Sequence, residues 1–169
     1  MTSISPTRLK IIVLYILLGA GGLWHVLGLF QSTMEVLAAP MIIAIGAWLV
    51  WESTREENSA KFILWCVLAG CTSFIVEMLG VKTGVIFGEY NYGSILQPQL
   101  LHTPLAIGFA WVGMLLSSAA ISVKILRERR VHPLIQSGLI ALFMVIFDIA
   151  MEPAAVKLGY WQWSGGVIP

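Results

Sequence analysis

The sequence predicts an all-α, polytopic integral membrane bundle of about five transmembrane helices, with a long loop of glycines and aromatics at the outer face. Three observations predict it. Hydrophobic residues make up 58% of the 169 positions and charged residues 11%, against roughly 45–50% and 25% in soluble domains, and the mean hydropathy is +0.86. Five apolar stretches each approach the roughly 20 residues that a helix needs to cross a hydrocarbon core about 30 Å thick. The Lys and Arg residues gather in the connections between those stretches.

The first span is expected at Leu9–Phe30. Arg8 and Lys10 imitate the start of a signal peptide, but the apolar run is too long for a cleaved segment, so it is read as retained. Met34–Trp51 is the second span and the shortest; Phe62–Gly80 is the third. Cys66 and Cys71, five positions apart on that third helix, fall on different faces, as core residues do and a disulfide or metal pair does not. Residues 81–103 carry Gly84, Gly88, Gly93, Asn91, Gln97 and Gln99, which argues for a surface turn or a re-entrant loop rather than a span. Pro104–Val123 and Pro133–Met151 complete a single membrane domain over 1–169.

Orientation follows from the basic residues. With the N-terminus in the cytoplasm, Arg8, Lys10, Arg55, Lys61, Lys124, Arg127, Arg129 and Arg130 lie inside, and only Lys82 and Lys157 lie outside. The C-terminal tail is then extracytoplasmic, as expected for a bacterial or archaeal cytoplasmic membrane. A net charge of +1 leaves no basic field for nucleic acid. Glu52, Glu56, Glu57 and Glu128 sit in inner loops beside Lys or Arg and read as solvated charges. The remaining polar groups share the outer face: Glu35, Glu77, Lys82, Glu89, Asp148, Glu152, Lys157, His25 and His102, with the aromatics Tyr90, Tyr92, Tyr160, Trp161 and Trp163.

Asp148 closes the run "PLIQSGLIALFMVIFD". An ionised acid at mid-membrane costs about 2.5–3.5 kcal/mol on insertion scales, so it calls for a partner or a function. Glu152 follows one helical turn later on the same face. Two close carboxylates in a poor dielectric do not both ionise cheaply, which leaves one able to hold a proton for general-acid work. The bland alternative is that both acids mark a helix end stopped by Pro153. Glu77 ends the third span as Asp148 ends the fifth, and each is followed by a glycine and alternating aromatics, "FGEYNYG" and "LGYWQWSGG". That likeness suggests two half-sites facing one pocket. The competing reading pairs Glu77 with Lys82 and assigns the aromatics to an interfacial belt. No metal spacing accompanies His25 or His102, and no P-loop, dinucleotide fingerprint or nucleophile elbow is present, so neither a metal nor a nucleotide or flavin cofactor is expected.

Three blocks, "EMLGVKTGVIFGEYNYG", "TPLAIGFAW" and "FDIAMEPAAVKLGYWQWSGGVIP", resemble the membrane carotenoid-biosynthesis family that includes carotenoid 1,2-hydratases and bisanhydrobacterioruberin hydratase. The similarity runs from Phe74 to Pro169. The resemblance implies a cofactor-independent hydro-lyase that adds water across the terminal C1=C2 bond of an acyclic ψ-end carotenoid. The substrate is lipid-soluble and arrives through the membrane lipid. On that chemistry Asp148 is expected as proton donor and Glu77 as base for water, with the roles exchangeable and Glu152 as a third catalytic acid. Tyr90, Tyr92, Trp161 and Trp163 would line the cation pocket, since aromatic faces stabilise cations, and Tyr160 is expected to bind substrate beside them. Lys82, Lys157 and His102 complete the expected substrate-binding set; the lysines either tune the acids or extend to the headgroups. Gly19, Gly21, Gly108 and Gly113 would border the polyene or serve helix packing. In the family a "GVP"-like stretch normally leads into a further segment and helix, whereas this sequence stops at Pro169; the resemblance leaves open whether the family's last helix is absent here, lost by shortening, or supplied by a partner chain. A lycopene-type cyclase on a similar scaffold is the neighbouring alternative. A proton-coupled transporter or a subunit of a membrane complex is the alternative from another class.

Overall fold

The structure is a computed structural model that describes residues 6–57, 59–127, 129 and 131–166, with side chains from residue 9 onward. Five helices, α1 (Pro6–Leu27), α2 (Gln31–Glu57), α3 (Ala60–Thr83), α4 (Ala106–Leu126) and α5 (Pro133–Lys157), are each long and apolar enough to cross a membrane. Among the described residues four short strands accompany them: β1 (Tyr90–Tyr92), β2 (Gln99–Leu100), β3 (Thr103–Pro104) and β4 (Trp161–Trp163). The protein is an all-α membrane bundle with almost no sheet. Arg8, Glu128 and Arg130, which enter the expected orientation, and the terminal Pro169 lie outside the described side chains.

The chain divides into two compact units, one up to Leu37 and one from Ala38 onward. In the first, α1 ends at Leu27 because Gly28 and Phe30 take left-handed backbone angles, and the Trp24 ring meets Phe30 edge-on at 5.3 Å. In the second, α4 packs against both α3 and α5. Small residues allow its close approaches. A Cβ on Gly46 of α2 would stand 2.7 Å from the Phe109 carbonyl oxygen, and one on Gly108 would stand 3.3 Å from the Gly70 oxygen of α3. Gly108 and Gly113 therefore serve helix packing.

Three boundaries depart from the apolar pattern, each for a local reason. The second span, shortest by hydropathy, belongs to the longest helix, since α2 continues past Trp51 through "ESTREE", and Thr54 Oγ1 bonds back to the Val50 carbonyl at 2.7 Å. Backbone hydrogen bonding does not stop where apolarity does. At the other end of the hairpin, α3 runs on through Lys82 and Thr83 until Gly84 adopts a left-handed cap, its N–H donating to the Gly80 carbonyl. Pro153 does not terminate α5. It lies inside the helix, which runs to Lys157, so Asp148 and Glu152 are interior positions rather than end markers. Membrane helices tolerate such prolines where neighbouring groups satisfy the freed carbonyl.

The connection after α3 is folded structure. Leu96, fully buried, anchors it in a core with Ala38, Ala39, Ala106 and Ile107. Strands β2 and β3 form a hairpin through Leu101 and His102, both at positive φ, as a two-residue turn between strands requires. Most consequential is β1, which pairs antiparallel with β4 of the C-terminal segment in the register Tyr90↔Trp163, Asn91↔Gln162, Tyr92↔Trp161. Two further backbone bonds lock the ribbon, Gly93 N–H to the Tyr160 oxygen and Ser164 N–H to the Glu89 oxygen, both 2.9 Å.

Candidate active site

Alternation along a strand puts residues i and i+2 on one face. The "YNY" and "WQW" segments therefore present Tyr90, Tyr92, Trp161 and Trp163 together, while Asn91 and Gln162 are exposed on the other side. The four rings are in contact: Tyr90 with Trp163 at 5.0 Å, Tyr90 with Tyr92 at 5.7 Å and Tyr92 with Trp161 at 5.8 Å.

Each strand supplies donors to the acid on the helix before it. The Tyr90 and Tyr92 hydroxyls both donate to Glu77 Oε1, the second at 2.6 Å. The Trp161 and Trp163 indole N–H groups both donate to Glu152 Oε1, the first at 2.8 Å. A further donor reaches Glu77 from α4, where Trp111 Nε1 lies 3.1 Å from Oε2. Glu77 is 5% exposed, a burial that a carboxylate sustains only with such a set of partners. The tyrosines carry the imprint of this environment. Burial, reinforced by the Glu77 charge, pushes both phenols well above their ordinary range, so they act as neutral donors.

These groups border one cavity of about 80 Å³, walled by Glu77, Asp148, Glu152, Tyr90, Tyr92, Trp161 and Trp163 together with Trp111, Phe87, Met114 and Met151. Asp148 is half-buried there and accepts no hydrogen bond from any described residue. Thus all three expected acids and four of the five expected aromatics converge. Tyr160 does not line the cavity; it packs beneath the ribbon, where burial raises its phenol. Lys82, Lys157 and His102 do not line it either. The lysines are exposed on the last turns of α3 and α5, and His102 is exposed at the tip of the β2–β3 hairpin. Glu77 takes its bonds from Tyr90, Tyr92 and Trp111 in place of the ion pair with Lys82 that sequence proximity offered. The half-site likeness holds in three dimensions with one change: the acid that mirrors Glu77 beneath the partner strand is Glu152, and Asp148 stands one turn away.

Trp111 is the functional candidate that the sequence reasoning passed over. It closes the "TPLAIGFAW" block, but its partner lies 34 positions away. A tryptophan near a span end already has an ordinary interfacial explanation. Its nearness to the depth of Glu77 was the available signal. Chemically, the cavity combines a carboxyl group without a donor among the described residues, two carboxylates held by fixed N–H and O–H groups, and four aromatic faces suited to a cation. Among the described residues, no group of three or more His, Cys, Asp or Glu is arranged to hold a metal ion.

The profile of the carotenoid biosynthesis protein family matches residues 25–167. Bisanhydrobacterioruberin hydratase of Haloarcula japonica is 27% identical over 90 residues, covering 53% of this chain and 31% of that protein. The probable multidrug resistance protein EmrY of Escherichia coli is 27% identical over 121 residues, covering 67% of this chain and 22% of that protein. The matched regions span less than a third of the length of either relative. No solved structure matches. The family match takes in both acid-bearing helices, both aromatic strands and Trp111, so the whole candidate site lies within it: the chain belongs to the carotenoid biosynthesis protein family.

Proposed function

We propose that this membrane protein is a carotenoid-modifying enzyme that hydrates the terminal C1=C2 bond of an acyclic ψ-end carotenoid. The observation that carries the proposal is the convergence of Asp148, Glu77 and Glu152 with four aromatic rings on one cavity, in a chain of the carotenoid biosynthesis family. The similarity to a bisanhydrobacterioruberin hydratase supports hydration within that family.

Protonating an isolated trisubstituted alkene needs an acid directed at C2. Asp148, with no hydrogen bond from a described residue, is free to carry and deliver that proton. The positive charge then develops at C1, the tertiary carbon. Aromatic faces stabilise such a cation by about 0.5–2 kcal/mol each, and a site that excludes water strengthens the attraction of nearby carboxylates. Water adds at C1 and loses a proton to a carboxylate, giving a tertiary alcohol. The polyene reaches the site through the hydrocarbon around the helices, so no aqueous tunnel is needed. With the N-terminus cytoplasmic, the ribbon and cavity face the outside.

A second reading is proton-coupled transport, and the comparison that bears on it is the similarity to a probable multidrug resistance protein. Transport sites sit near mid-membrane with access from both sides, whereas these acids all lie in the C-terminal halves of α3 and α5, towards one end of the bundle. The test is expression in cells that accumulate lycopene, followed by mass analysis of the pigment. A gain of one water supports hydration. An isomer of unchanged mass would favour cyclisation, and unaltered pigment in a membrane that contains the protein would reject the enzyme.

A further inference from the structure

The second unit carries the same arrangement twice. A helix bearing a glutamate runs two turns further to a left-handed glycine, Gly84 after Glu77 and Gly159 after Glu152. A three-residue strand follows, its first residue buried, its second exposed and its third half-buried. Both outer residues of that strand donate to the glutamate of the same half, and the two strands pair antiparallel, as a local two-fold relation requires.

The equivalence fails in two places. Glu77 has a third donor, Trp111, on Oε2, so both of its oxygens are engaged. Glu152 receives both donors on Oε1, and Oε2 accepts nothing from a described residue. One turn before Glu77 stands Ser73; one turn before Glu152 stands Asp148. Both departures favour the α5 half, which holds, among the described residues, a carboxylate oxygen free to accept and a carboxyl group without donors on one helix face.

We propose that Glu152, through Oε2, is the base that takes the proton from the attacking water, and that Glu77 is a fixed negative charge facing the cation. This assignment rests on the hydration reading. In the cycle, the Asp148 carboxyl gives its proton to C2 as the C=C electron pair forms the new C–H bond and C1 becomes cationic. A water oxygen bonds to C1, and its surplus proton passes to Glu152 Oε2. That proton returns from Glu152 to Asp148 across one helical turn, so one water is consumed and both acids end as they began. The tryptophans hold the non-reacting oxygen and thereby present Oε2. Trp111 engages the corresponding oxygen of Glu77 and withdraws it from that task.

The two halves of the reaction can be read separately in heavy water. Membranes bearing the wild type or a variant at equal abundance are incubated with lycopene in D2O, and the pigment is scored for alcohol and for deuterium in recovered alkene. Deuteron delivery followed by loss of a proton from C2 or a C1 methyl returns labelled alkene without using a water base. Glu152→Gln should lower alcohol formation by about 10²-fold or more, the range for a lost general base, while alkene labelling persists and proves the site intact. Glu152→Asp, which keeps a carboxylate, should recover part of the alcohol. Glu77→Gln should reduce alcohol and labelling together. Wild-type hydration by Glu152→Gln would overturn the assignment alone, as would loss of labelling along with alcohol in that variant. A wild type that neither hydrates nor labels lycopene would remove the hydration reading and this assignment with it.

Discussion

Glu77 accepts from two tyrosine hydroxyls and one indole N–H, donors drawn from three separate stretches of the chain. Removing the indole donor while keeping an aromatic ring isolates its contribution. A hydrogen bond to a charged group is worth about 1.5–3 kcal/mol, so Trp111→Phe should slow alcohol formation by roughly 10–100-fold, measured as product per unit of membrane-inserted protein. The tyrosines make a second prediction. Their phenols are raised above the ordinary value near 10 by burial first and the Glu77 charge second. A raised value means that this stabilisation is fully present below about pH 10 and is lost as pH climbs above it, when the unfolded chain sheds protons that the folded one keeps. Tyrosinate absorbance from Tyr90 and Tyr92, obtained by difference against Tyr→Phe variants, should therefore appear only with unfolding. The acids were legible in the sequence because a carboxylate in an apolar run is costly enough to require a reason. Their hydrogen-bond partners were not, since adjacency to Lys82 said nothing about which way either side chain points.

Among the elements, the ribbon formed by β1 and β4 organises the site, and glycines permit its closest approach. A Cβ at Gly93 would run into the Gly159 carbonyl oxygen. Gly93→Ala should cost about 1–3 kcal/mol and disorder the aromatic face, seen as lost product with helical circular dichroism retained. In the bundle, Gly46→Leu should force α2 from Phe109 of α4 and lower the thermal midpoint of the detergent-solubilised protein. Hydropathy located all five helices but misjudged their ends. It reports where a helix meets hydrocarbon, and α2 and α3 continue beyond that limit while their backbone bonds remain satisfied. The repeated glycine–aromatic pattern was visible in "FGEYNYG" and "LGYWQWSGG". The pairing of these segments as strands was not, because three-residue strands carry no periodicity that a window could detect.

At the scale of the molecule, composition alone separates this chain from soluble proteins, and the family match covers the entire candidate site. The orientation of the bundle is a proposal from its basic residues, and a reporter fused after Pro169 tests it. Activity of a periplasmic reporter is expected; activity of a cytoplasmic one would invert the map and place the cavity inside. The central claim is that this membrane cavity adds water to a carotenoid end group through Asp148. Its most direct test is incubation of membranes holding equal amounts of wild type or Asp148→Asn with lycopene in heavy-oxygen water. The account predicts a pigment heavier by one labelled water from the wild type and unchanged lycopene from the variant; equal hydration by both, or by neither, would contradict it.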